Sequence, residues 1–129
     1  MIYCLDTHTI YWLLGSYRKL GSRARSILAR EGETFIVPSI VLVELLRLMR
    51  RSGDAVSPET LLIEIAQCID FMTYSFDLPE FRRMSPLLEQ HDAMIVACAL
   101  SAAESSSDEV ALITCDEEIT KSGLVRTVW

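Results

Sequence analysis

Continuous apolar runs alternate along the chain with stretches whose apolar positions recur at helical spacing. "IYCL" at 2–5 is wholly apolar and stops at Asp6, which reads as a buried strand running into a turn. A short helix is expected over 8–15, ending near Gly15, and a second from Gly21 or Ser22 with Gly32 as its stop. "ETFIVP" is a brief strand closed by Pro38, after which Ser39 is expected to cap the helix "SIVLVELLRLMRRSG". "SPETLLIEIAQCI" opens with Ser57 as cap and Pro58 in the first turn. "DFMTYSF" is a third strand, followed by a short helix over 79–84. The most apolar helix is expected over 91–105, with "SSSDE" as its exit loop. "VALITC" is a strand, "DEEITKSG" a short helix or turn, and "LVRTVW" a last strand.

Strands alternating with helices give an α/β domain with a mostly parallel sheet, one domain spanning residues 1–129. In such sheets the functional crevice lies beyond the carboxyl ends of the strands. The runs at 2–5 and 110–115 both deliver an aspartate, Asp6 and Asp116, just past their ends. If these strands are parallel neighbours, the two carboxylates emerge together on one edge. Glu44 is the only charge between Pro38 and Arg47, set among Val41, Leu42, Val43, Leu45 and Leu46 on a helix that starts at the same edge. Asp92 stands where the apolar helix begins.

Each acid also has an ordinary structural account. Asp6 and Asp116 suit helix N-caps, and Asp92 a cap or first-turn position favoured by the helix dipole. Glu44 could turn to solvent or pair with Arg47 three residues on, although its apolar neighbours leave little polar face there. Taken together the acids need more. Two unit charges at 4 Å repel by about 4 kcal/mol at an effective dielectric of about 20, so converging carboxylates protonate, splay or take up a cation. Oxygen-only ligands select Mg²⁺ or Mn²⁺, and such a site suits phosphodiester hydrolysis.

Composition narrows the classes. Half of the 129 residues are hydrophobic, which fits a globular chain with a substantial core. The longest apolar run, "AMIVACAL" at 93–100, is far short of the roughly 18 residues of a membrane span, and no basic stretch precedes the first apolar run; both observations point to the cytoplasm. The four cysteines, Cys4, Cys68, Cys98 and Cys115, form no C-x-x-C pair and read as small buried hydrophobes in a reducing compartment. His8 and His91 have no second ligand at zinc spacing. A net charge of −6 argues against binding nucleic acid through bulk charge, but an acidic pocket filled by divalent cations reverses sign locally.

The blocks "YCLDTHTIYWLL", "VPSIVLVELLRL", "HDAMIVACAL", "LITCDEEI" and "VRTVW", in this order across the whole chain, resemble the PIN domain, most closely the small bacterial PIN ribonucleases of the VapC toxin type. The resemblance implies a parallel five-stranded sheet in the order 3-2-1-4-5, with strands 1 and 4 adjacent. It implies an acidic site at Asp6, Glu44, Asp92 and Asp116 that binds Mg²⁺ or Mn²⁺ and cuts RNA phosphodiesters. It also implies a homodimer and, in the toxin branch, a small antitoxin protein that occludes the cleft. Thr114 matches the T-x-D position and suits holding a carboxylate or a water through its hydroxyl; Thr7 is placed for the same role, and both are also ordinary strand-end residues. Glu117 is an additional candidate that reads equally as an exposed first-turn acid.

One departure stands out. Relatives with this opening and a terminal V-x-x-W often carry an arginine just after the third acid, where this chain has Ala93. His8 is expected to pack or cap rather than act as a base. Trp12, Trp129, Tyr3 and Tyr11 suit core or dimer contacts. Arg18, Lys19, Arg23 and Arg25 form a basic cluster that reads as a solvated face, or as a track for an RNA backbone or an acidic partner. Two rival functions remain open: a PIN-like module that binds without cleaving, and a Mg²⁺-dependent phospho-receiver. The receiver needs an acceptor acid after a middle strand and a lysine after the last; Pro38 and Ser39 follow the strand "TFIVP", and Lys121 precedes the last strand.

Overall fold

The computed structural model describes all of residues 1–129. The chain runs β1 (Ile2–Leu5), α1 (Thr7–Gly15), a 3-10 turn at Tyr17–Lys19, α2 (Ser22–Leu28), β2 (Thr34–Pro38), α3 (Ser39–Arg51), α4 (Pro58–Ala66), β3 (Phe71–Tyr74), α5 (Leu78–Met84), α6 (Gln90–Ser106), β4 (Val110–Ile113), α7 (Glu117–Ser122) and β5 (Thr127–Val128). The sheet is five-stranded and parallel throughout, in the order β3-β2-β1-β4-β5. The α/β fold class and the strand order implied by the resemblance are both observed. No helix is long and apolar enough to cross a membrane.

β1 is the centre of the sheet, and every one of its residues is buried. That is why its sequence is a continuous apolar run and not an alternation: a parallel strand is covered on both faces. The edge strand β3 is half-exposed along its length, and Met72 on it stands open to solvent. Leu5, Ile36, Leu112 and Ile113 of the sheet pack with Ile10, Val41, Leu45, Leu61, Ile65 and Val96 of the helices in one core. α6 lies against β1, β4 and α5 and buries Ala93, Ile95, Val96, Ala97, Cys98, Ala99 and Ala102, so its small side chains let it sit close to the sheet.

Chain ends and turns follow local chemistry. Ser57 caps α4 by accepting from Thr60 N at 3.1 Å, with Pro58 in the first turn. Gly123, at φ +65°, closes α7 in the left-handed region that costs glycine no strain. Gly21 has a different reason to lack a side chain: a Cβ there would fall 2.5 Å from the carbonyl carbon of Trp129.

The structure departs from expectation at three places. Ser39 does not cap α3; β2 runs straight into the helix through Pro38, and the Ser39 hydroxyl turns to the carbonyl of Tyr74 on the paired strand at 3.3 Å. Cys68 and Cys115 are exposed rather than buried, because each lies just beyond the end of its element, α4 and β4. The last strand shrinks to Thr127–Val128, since β4 offers it only Leu112 and Ile113 as register partners.

Candidate functional site: an acidic cleft

Asp6 is the residue at which β1 becomes α1. Its backbone is extended, and its carboxylate Oδ1 accepts from Thr9 N at 2.8 Å, which makes it the helix N-cap. The Thr9 hydroxyl lies 2.6 Å from the same oxygen, and the Thr114 hydroxyl donates to Oδ2. Asp6 is therefore both buried and immobilised. Burial raises its pKa, and the bonds from Thr114 and Thr9 oppose that shift.

Asp116 repeats the arrangement after β4. It caps α7 through Oδ1, which accepts from Ile119 N at 2.9 Å, and its second carboxylate oxygen has no protein partner. β1 and β4 are in register from Ile2↔Val110 to Leu5↔Ile113, so the residues that follow them come out side by side. Both acids are thus N-caps and members of one edge cluster at once.

Glu44 sits on α3, held by the buried Val41 and Leu45 on either side. Its carboxylate accepts from the Thr7 hydroxyl through Oε2, and His91 Nδ1 lies 3.5 Å from Oε1. No ion pair with Arg47 forms. Asp92 lies in the first turn of α6, whose cap is Glu89. Its pKa is pushed up to about 6, first by burial and then by the negative charges of Asp116, Glu89, Glu44 and Asp6.

The four carboxylates line one cleft of about 390 Å³, with Thr7, His8, Glu117 and Cys115 and the apolar Trp12, Ile95 and Ile119. No Lys or Arg makes an ion pair with any of the four. In this conformation no three His, Cys, Asp or Glu side chains are arranged to hold a metal ion. The donor set nevertheless fits one: hard carboxylate oxygens, uncompensated charge, and in Asp116 and Asp92 side chains with unbonded oxygens that can rotate inward while Asp6 stays fixed.

The remaining candidates divide. Thr114 and Thr7 each hold a carboxylate, but Thr7 serves Glu44 and not the neighbouring Asp6. Glu117 borders the cleft, yet its side chain is exposed and paired with Lys121 at 3.1 Å. Ala93 is fully buried, so an arginine at that position would have no room to lie where the alanine does. His8 is exposed and lies against Trp12, ring centroids 5.4 Å apart, without capping anything; Trp12 in turn meets Trp129 edge-on at 5.5 Å. The basic cluster at 18–25 does not reach the cleft.

Two contributors escaped the sequence reading. Thr9 donates to Asp6 from the third helical position, a spacing that an Asp cap makes readable as D-x-x-T. His91 meets Glu44 across two helices, and no local signal announces such a contact.

A family model described as PIN domain matches residues 3–123. The fold is similar to three solved structures. Against VapBC2 from Rickettsia felis, solved bound to a DNA fragment from its promoter, the TM-score is 0.71 at 15% identity, covering 99% of this chain and 98% of that one. Against VapBC-1 from nontypeable Haemophilus influenzae it is 0.61 at 17%, covering 99% and 97%. Against PAE2754 from Pyrobaculum aerophilum it is 0.60 at 18%, covering 98% and 89%. No curated protein matches the chain by sequence.

Proposed function

The chain belongs to the PIN domain family, and from that premise we propose that it is a divalent-cation-dependent endoribonuclease, the toxin of a toxin–antitoxin pair. The observation that carries this reading is the convergence of Asp6, Glu44, Asp92 and Asp116 on one cleft, with no Lys or Arg paired to any of them. Carboxylates left uncompensated in this way are suited to receive a cation.

Asp6, Glu44, Asp92 and Asp116 would hold Mg²⁺ or Mn²⁺, which when bound supplies activation of water and neutralisation of charge on the phosphoryl oxygens. The chain's own residues prepare that site. Thr114 and Thr9 fix Asp6 as the immobile ligand. Thr7 fixes Glu44. Asp92, whose pKa is pushed up to about 6 first by burial, would give up its remaining proton on joining that site. Trp12, Ile95 and Ile119 exclude water from one wall and strengthen the local electrostatics. The products are 5′-phosphate and 3′-hydroxyl ends. The antitoxin would be a small protein that occludes the cleft, a partner supported by the fold likeness to VapBC proteins. The active toxin would be a homodimer, as the sequence resemblance implies.

The phospho-receiver reading falls away, because receiver domains order their strands 2-1-3-4-5 and this sheet is β3-β2-β1-β4-β5. A PIN-like module that binds a partner without cleaving is the remaining alternative. Incubating a mixed pool of structured and single-stranded RNAs with Mg²⁺ or Mn²⁺ separates the two. Cleavage by the wild type, lost in Asp6→Asn, is the expected result. Intact RNA, or cutting that survives the substitution, overturns the nuclease reading.

A further inference from the structure

Beside the acidic cleft lies a second one of about 220 Å³. Thr7, His8 and Glu44 form the wall the two share, and Arg47, Arg51 and His91 form the rest together with Leu48. Arg47 and Arg51 stand one turn apart on α3, a spacing that sets their Cβ atoms about 5–6 Å from each other. Both are exposed, and neither makes an ion pair. The natural partner of Arg47 is Glu44, three residues earlier, but no ion pair joins them: that carboxylate accepts from Thr7 through one oxygen and meets His91 with the other. The two guanidinium groups are left free beside it.

A helix-dipole role accounts for Arg51 in the last turn, yet it does not account for Arg47, a turn further in. It also does not explain why these two line the cleft while Arg50 between them on the same helix does not. A chain of net charge −6 repels a polyanion at long range, and the cluster of acids sharpens that repulsion at the site itself. A polyanionic substrate therefore needs a local cationic hold next to the acids. Guanidinium forks supply one, since they bind phosphate oxygens bidentately and stay charged at every working pH.

We propose that Arg47 and Arg51 form a phosphate-binding subsite that holds the RNA backbone beside the acidic cleft, so that the adjoining phosphodiester falls among Asp6, Glu44, Asp92 and Asp116. The identity of the polyanion rests on the endoribonuclease reading. The arginines act as positioning residues: they set where along the strand the cut falls and how tightly the strand is held, without touching the reacting atoms.

Anisotropy titration of a fluorescein-labelled single-stranded oligoribonucleotide, without divalent cation, tests this across a salt series. Arg47→Ala/Arg51→Ala is expected to weaken binding at least tenfold and to flatten the salt slope by about one to one and a half, the loss of two phosphate contacts at roughly 0.7 each. Arg50→Ala is expected to leave both unchanged, and Arg47→Lys/Arg51→Lys to keep most of the slope with reduced affinity. In cleavage assays the alanine pair raises KM and leaves kcat within about twofold. All these side chains are exposed, so thermal melts should match the wild type.

Unchanged RNA affinity and slope in the alanine pair overturns the subsite, as does an equal loss in Arg50→Ala. Intact RNA binding with loss of binding to a polyglutamate peptide overturns it too, assigning the arginines to an acidic protein segment. RNA bound through the arginines by a protein that cuts nothing supports the subsite while the nuclease reading fails. Cleavage sensitive to Asp6→Asn with KM unchanged in the alanine pair leaves the nuclease standing and removes the subsite.

Discussion

Thr114 gives its single hydroxyl proton to Asp6, whose carboxylate oxygens accept, while the same hydroxyl oxygen accepts the backbone N–H of Asp116, at 3.0 Å. One buried hydroxyl so fixes the polarity of the whole edge: Asp116 donates to Thr114, and Thr114 donates to Asp6 across two neighbouring strands. Thr114→Val removes the hydroxyl at nearly constant shape. It leaves Asp6 with one oxygen unsatisfied in a buried position, which costs about 1–3 kcal/mol. Melting temperature and Mn²⁺ affinity should both fall, and Thr114→Ser should restore most of each. A valine variant indistinguishable from wild type in both would show that the bond does nothing.

Asp92 contributes to the pH dependence of the cation-free protein. Its folded pKa of about 6 lies above its ordinary value of 3.8. Above pH 6 the group is ionised both folded and unfolded, and its contribution to stability is at its least favourable. As pH falls from 6 towards 4 the folded state binds the proton first, so this group's contribution rises. Asp92→Asn should therefore melt higher than wild type at pH 7.5 without divalent cation, with the difference closing towards pH 4. Added Mn²⁺ should reverse the order, stabilising the wild type more. Melts across pH, with and without Mn²⁺, check both signs.

Asp6 combines two roles, and the choice of substitution separates them. Asp6→Ala removes a helix cap worth about 1 kcal/mol and strands the Thr114 hydroxyl proton, so lost activity would be mixed with lost fold. Asp6→Asn retains an oxygen for Thr9 N and removes the charge. Chemical denaturation should place the alanine variant clearly below the asparagine one, with cleavage absent in both.

Gly21→Ala should destabilise the domain by roughly 1–3 kcal/mol through overpacking, since its Cβ would meet the backbone of Trp129. The clash is with main chain, which cannot swing aside as a side chain would. Gly15→Ala, where nothing lies within 4 Å, serves as the control in the same melts.

The strands and the acids could be read from the sequence because burial writes itself plainly there. β1 and β4 are covered on both faces, so they appear as unbroken apolar runs, and an acid at the end of such a run is conspicuous. Glu44 could be read for the same reason, as a charge interrupting an apolar helix. What could not be read depends on contacts between elements. Thr7 serving Glu44, and His91 lying against it, join residues that only the packing of α1, α3 and α6 brings together. Ser39 looked like a cap because its competing partner, the Tyr74 carbonyl, arrives from a strand 35 residues away. Cys115 looked buried because the apolar run continues through it, although the ladder of β4 ends at Ile113.

The central claim is that Asp6, Glu44, Asp92 and Asp116 act together as a cation site, and calorimetric titration of Mn²⁺ at pH 7.5 tests it most directly. The wild type is compared with Asp92→Asn and Asp116→Asn, whose side chains keep their shape and lose their charge. The account predicts binding to the wild type, weakened at least tenfold by each substitution, with proton release that grows as the buffer pH is lowered towards 6. Affinity that is the same in all three proteins would contradict it.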